Sequence, residues 1–185
     1  RRFHNYSGAP SGRMSLTRAF SVSSNTAFIR EADRLPDGAL VRTARAFGFD
    51  GTQPLPIASI GGDIAEPSSR AGSALDAIGQ GTVTVSPLHM ASVAAAVAGG
   101  TWHQPHVLRG ARHASHPVPG APALRAMMRS AVTSGTGSAV SRVPGGPVSG
   151  KTGSAEYEGE SPDATHAWFV GWQRDLAFAV LVEGG

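Results

Sequence analysis

From Pro87 to Val97 the chain reads PLHMASVAAAV, and Leu88, Met90, Ala91, Val93, Ala94 and Val97 leave almost no polar face on a helix. Ser86 and Pro87 mark its start. A helix apolar on most sides is held between other layers, so the chain has to supply at least one such layer. The longest apolar stretch, Met90 to Ala98, is far short of the ~20 residues that span a bilayer. The layer comes from the C-terminal third, where Ala167–Trp172 and Leu176–Val182 read as apolar strands around a turn at Gln173–Asp175. The expected fold class is therefore α/β of the α+β type, an antiparallel sheet flanked by helices.

The remaining chain supplies those helices. Leu16, Ala19 and Phe20 recur at helical spacing after a capping Ser15, and Asn25 opens a second run through Phe28, Ala32 and Leu35 that Pro36 ends. Leu40–Phe47 reads as a third helix ended by Gly48, and a Gly- and Pro-rich loop continues from there to about Ser73. Leu124–Val132 reads as a further helix, with Gly135–Ser138 and Pro144–Gly150 as punctuation after it. At 185 residues the chain fits one domain.

Composition narrows the function. A net charge of +3 with scattered basic residues gives no support to nucleic-acid binding. The absence of Cys excludes disulfide, thiolate-zinc and iron–sulfur sites. His103 and His106 have metal-ligand spacing, but Pro105 lies between them and no carboxylate stands beside them, so they read as surface residues and no metal or other cofactor is expected. Fifteen of the sixteen basic residues are Arg, which makes Lys151 the only lysine.

Lys151 opens K-T-G, with Gly150 before it and Ser154, Ala155 and Glu156 after it. The apolar segments downstream place this motif on a strand of the same sheet, and Gly153 permits close approach of a ligand or another backbone. Upstream, Ser23, Ser24 and Asn25 form S-x-N at a helix junction, where a hydroxyl and a carboxamide can exchange protons or hydrogen bonds in a cleft. Helix capping is the structural alternative for Asn25. Trp168, Phe169 and Trp172 read as packing beside the motif strand, Glu156 as a solvated carboxylate, and Gly79 and Gly81 as turn residues.

Six segments in order, SLTRAFSVSSNTAF (15–28), IGQGTVTVSPLHM (78–90), GTGS (135–138), GKTGSAE (150–156), WFVGW (168–172) and LVEGG (181–185), resemble the transpeptidase domain of class B penicillin-binding proteins of the actinobacterial type. The resemblance implies peptidoglycan D,D-transpeptidation and acylation by β-lactams. It makes Ser23 a proton relay and Asn25 the holder of the substrate's peptide carbonyl. Lys151 supplies positive charge, Thr152 and Gly153 bind substrate with Thr152 on its carboxylate, and the Ser154 N–H is an oxyanion donor. Implied partners are the D-Ala-D-Ala stem peptide, β-lactams and other cell-wall synthesis proteins. The implied location is the outer face of the cell membrane, with an anchor upstream of Arg1.

The family's nucleophile motif, S-x-x-K, needs a Ser three residues before a Lys, and Val148 stands there. No nucleophile exists in this chain, so it is expected to be inactive alone. Residues 1–185 read as a partial transpeptidase domain cut at both ends. A non-catalytic peptidoglycan or β-lactam sensor, a D,D-carboxypeptidase and a serine β-lactamase remain as alternatives. A P-loop NTPase is the remote one: Gly145–Thr152 fits G-x-x-x-x-G-K-[ST], but Pro144 before it and Gly153, Gly159 and Pro162 after it argue against the strand–loop–helix context.

Overall fold

The computed structural model describes residues 3–5, 12–51, 55, 58–110, 112–157 and 164–184. Among these the α-helices are, in chain order, α1 Leu16–Ser21, α2 Asn25–Ala32, α3 Ala39–Arg45, α4 Arg70–Asp76, α5 Pro87–Gly99 and α6 Ala121–Ser134. A two-stranded ribbon of β1 Thr101–His103 and β2 Ser115–Pro117 lies between α5 and α6. The chain ends in a sheet of β3 Val148–Glu156, β4 Thr165–Gln173 and β5 Leu176–Val182, in the order β3-β4-β5 and antiparallel throughout. The expected antiparallel sheet with helices against it is thus present.

Local chemistry explains most boundaries. The Ser15 hydroxyl accepts from the Arg18 N–H at 3.2 Å and starts α1. Ser86 does the same for His89 at the start of α5, Pro87 stands in the first turn, and Gly100 ends the helix in the left-handed region at φ 84°. α5 packs on β4, β5, β1 and α6, as a helix without a polar face requires, although Leu88 and Ala95 stay exposed. Arg125 of α6 donates to the Val97 and Ala98 carbonyls at 3.0 and 3.2 Å, which ties the end of α5 to α6. A core cluster of Ala96, Trp102, Val118 and Ala121 forms under the ribbon, with Phe47 and Leu124 against it. His89 is fully buried edge-on to Phe49 at 4.6 Å, and burial pushes its imidazole below the usual value against an opposing pull from Asp50.

Several elements differ from expectation. The loop read as running to about Ser73 contains α4 from Arg70, capped by Ser69 through the Gly72 N–H at 3.1 Å. A seven-residue helix with few apolar side chains leaves no periodic trace. α2 ends at Ala32, short of Leu35, and α6 begins at Ala121, since Pro122 is tolerated in the first turn. Val148–Gly150 belong to β3 rather than to the punctuation before it, and Gln173 belongs to β4, so Arg174 and Asp175 alone make the turn. His103, at the end of strand β1, and His106, outside any helix or strand, are both exposed, in keeping with their reading as surface residues.

Candidate active site

The α1–α2 junction shows why Ser23 is presented as it is. The Ser24 N–H reaches the Ala19 carbonyl at 2.9 Å and the Ser23 N–H reaches the Phe20 carbonyl at 3.1 Å, the paired bonds that close a helix around a left-handed residue. That residue is Ser23 itself, at φ 55°. The position ordinarily takes Gly, and a side chain here is strained. Ser24 comes next as the buried first cap of α2 but makes no side-chain capping bond. The cap is Asn5, whose Oδ1 accepts from the Thr26 N–H and hydroxyl at 3.0 Å each and from the Ser24 hydroxyl at 3.3 Å. Asn25, weighed as a cap from its sequence context, is instead the first helical residue, and its carboxamide carries no hydrogen bond among the described residues.

Lys151 comes to this junction from β3. Its Nζ donates to Ser23 Oγ at 2.9 Å and to the Thr152 carbonyl at 2.8 Å, and it lies 5.8 Å from the centre of the Phe20 ring. Burial lowers its pKa from 10.5 to about 8. No carboxylate pairs with it among the described residues. A half-buried ammonium without an anion beside it is a site that a ligand carboxylate would complete.

Among the described residues β3 has a strand partner on one edge only. Tyr157, just past β3, donates its N–H to the Ala164 carbonyl on the β4 side at 3.2 Å. In an antiparallel pair the N–H and C=O of one residue face the same way and alternate along the strand. Odd-numbered residues of β3 therefore face β4, and Val148, Thr152 and Ser154 face outward. The outward carbonyls are met by side chains: Arg129 Nη1 on Val148 at 2.6 Å, Lys151 on Thr152, and Gln80 Nε2 on Ser154 at 3.1 Å. The Ser154 N–H points to the same open side, on an exposed residue beside the exposed Gly153.

Thr152 is joined by Thr136, which lies in the GTGS segment but is given no role by the sequence reading. Its hydroxyl lies 2.5 Å from that of Thr136. Thr136 is placed by its N–H on the Ser21 carbonyl at 3.0 Å, at a contact where a Cβ on Gly135 would run into that carbonyl. Ser21 Oγ is also hydrogen-bonded to Ser130 Oγ at 2.8 Å, which ties α1 to α6. The signal for Thr136 was its flanking pair Gly135 and Gly137, both in close contacts. Gln80 carried a similar signal, since Gly79 and Gly81 lie at φ 76° and 69° and make the expected turn. The structure thus joins Ser23, Lys151 and Thr152, lays Gly153 and Ser154 along the same strand, and puts Asn25 two residues from Ser23 without a bond to Lys151.

The phosphate-loop reading fails on this geometry. Gly150, Lys151 and Thr152 lie within β3, which runs on as strand to Glu156 instead of opening a helix that would present a ring of N–H groups.

The family model of the penicillin binding protein transpeptidase domain matches residues 2–185. The peptidoglycan D,D-transpeptidase PbpA of Mycobacterium tuberculosis is 33% identical over 208 residues, covering 98% of this chain and 42% of that protein. The chain thus spans about two fifths of the length of the curated relatives it matches. Among solved structures, the ceftriaxone acyl-enzyme complex of penicillin-binding protein A from M. tuberculosis superposes with a TM-score of 0.85 at 30% identity, covering 98% of this chain and 46% of that one. The D,D-transpeptidase domain of a peptidoglycan glycosyltransferase from Eggerthella lenta gives 0.83 at 25% identity, covering 98% and 51%. With its motifs on one sheet edge and one helix junction, the chain belongs to the penicillin-binding-protein transpeptidase domain family.

Proposed function

We propose that this chain is the substrate-holding part of a peptidoglycan D,D-transpeptidase that is acylated by penicillin and cross-links cell-wall stem peptides. The observation that carries the reading is the Lys151–Ser23 bond: a half-buried ammonium without a carboxylate partner, on a hydroxyl, at the open edge of a strand. In this reading Ser23 relays a proton to or from the leaving group, and Lys151 keeps it polarised and draws in the terminal carboxylate of D-Ala-D-Ala. Thr152, supported by Thr136, binds that carboxylate. Asn25 holds the peptide carbonyl preceding the scissile bond, and the Ser154 N–H is one oxyanion donor beside Gly153, which leaves room for the acyl group. The attacking serine lies outside residues 1–185, since no S-x-x-K exists here. An extracytoplasmic position at the cell membrane and contacts with other cell-wall synthesis proteins belong to the same proposal. Among the described residues no helix is long and apolar enough to cross a membrane.

Intact mass before and after incubation with penicillin tests it. The protein that carries this chain with its serine should gain the mass of one penicillin, and the 18.9 kDa chain alone should gain none. Reversible binding of a D-alanyl peptide by the complete protein, with no adduct, would favour the sensor reading instead.

A further inference from the structure

We propose that Gln80 is a specificity-determining residue of this site: its carboxamide occupies the strand-edge carbonyl that a ligand's backbone N–H needs, and ligands with such an N–H bind by displacing it. The proposal rests on the transpeptidase reading above. A ligand that adds to the open edge of β3 pairs with its outward carbonyls. Of these, Thr152 already receives Lys151 at 2.8 Å and Ser154 receives Gln80 Nε2 at 3.1 Å.

Gln80 is built into that position from 74 residues away. Gly79 and Gly81 turn the backbone through the left-handed region on either side of it, and its N–H is held by the Leu75 carbonyl at 3.0 Å. The turn is locked from below by the buried Asp76, whose Oδ1 accepts from the Thr82 N–H at 2.8 Å and from its hydroxyl at 3.1 Å. A Cβ on Gly81 would sit 2.6 Å from the same oxygen. The donor is thus pre-set while the bond it makes is neutral and lies on an exposed strand residue, which makes it exchangeable. The strand does not depend on it, because β3 pairs with β4 at all nine of its positions.

A neutral hydrogen bond is worth about a two- to tenfold effect. In the complete protein, Gln80→Ala and the length-preserving Gln80→Met should raise the second-order rate of acylation by β-lactams bearing an acylamino N–H about two- to tenfold. They should leave unchanged the rate for β-lactams without an N–H at that position, and should leave Tm where it was. Slower acylation by both classes together with a lower Tm would make Gln80 a strut and overturn the proposal. Equal changes in the two classes, or none, would overturn it as well. A parent protein that forms no adduct with either class would instead refute the transpeptidase reading on which the proposal stands.

Discussion

Lys151 should lose its proton near pH 8, and its being the only lysine lets that be watched directly. Burial at the foot of α1 disfavours the ammonium, and the distance from 10.5 down to about 8 corresponds to about 3 kcal/mol between the charged and neutral forms. The unfolded chain keeps its proton up to 10.5 and the folded chain only to about 8, so between these values the unfolded state holds more protons. Folding stability should therefore rise with pH across that window, by up to about 3 kcal/mol from this residue, and the full disfavour should stand below pH 8. Lysine labelled with ¹³C at Cε gives a single resonance whose shift reports the titration, and urea unfolding from pH 7.5 to 10, with Lys151→Met as the reference, reports the stability. The ammonium should fall from about nine-tenths to about one-tenth between pH 7 and pH 9, and acylation of the complete protein by penicillin should fall with it. A resonance that titrates near 10.5, or a Lys151→Met variant with the same pH slope as the parent, would show that burial leaves Lys151 unshifted.

In the complete protein, Lys151→Ala should slow acylation by at least ~100-fold, the scale of removing one electrostatic stabiliser; stopped-flow kinetics with a chromogenic β-lactam measure it, and an unchanged rate would remove Lys151 from the mechanism. Ser23→Gly should be more stable than Ser23→Ala by about 1 kcal/mol, because Gly accepts the φ of 55° without strain, while both should lose acylation. Denaturant melts that rank Ala equal to Gly would show that the junction carries no strain. Gly150→Ala would push a Cβ into the Phe169 ring and to 2.8 Å from the Val170 carbonyl, so it should cost about 1–3 kcal/mol, read as a lowered Tm.

The parts of the molecule legible in its sequence are those whose chemistry is local. α1 and α5 carry their caps in Ser15 and Ser86, and β4 and β5 announce themselves by unbroken apolar runs. Lys151 and Ser23 could be paired because their motifs are rare in combination, and the 2.9 Å bond joins them. The illegible parts depend on distant or atypical residues. A helix end of this type calls for Gly, so a Ser there gives no warning of a left-handed turn. The capping of α2 by Asn5 comes from 21 residues upstream of Thr26, beyond any local pattern. β1 and β2, three residues each, are too short to show alternation, and α4 had only Ser69 to mark it.

The contact between Gly135 and the Ser21 carbonyl has a mechanical consequence. Two residues past the end of α1 stands Ser23, and one residue past Gly135 stands Thr136 with its hydroxyl on Thr152, so the Ser23 and Thr152 hydroxyls are both positioned from this one contact. A side chain at position 135 should force that contact apart and lengthen the Lys151–Ser23 bond, and should shift the Thr136–Thr152 pair proposed to bind a carboxylate. Such a change touches no atom that meets a ligand. Its signature in a complete enzyme would be reduced reactivity toward every β-lactam in equal proportion, quite unlike the drug-by-drug differences left by altering a wall of the cleft.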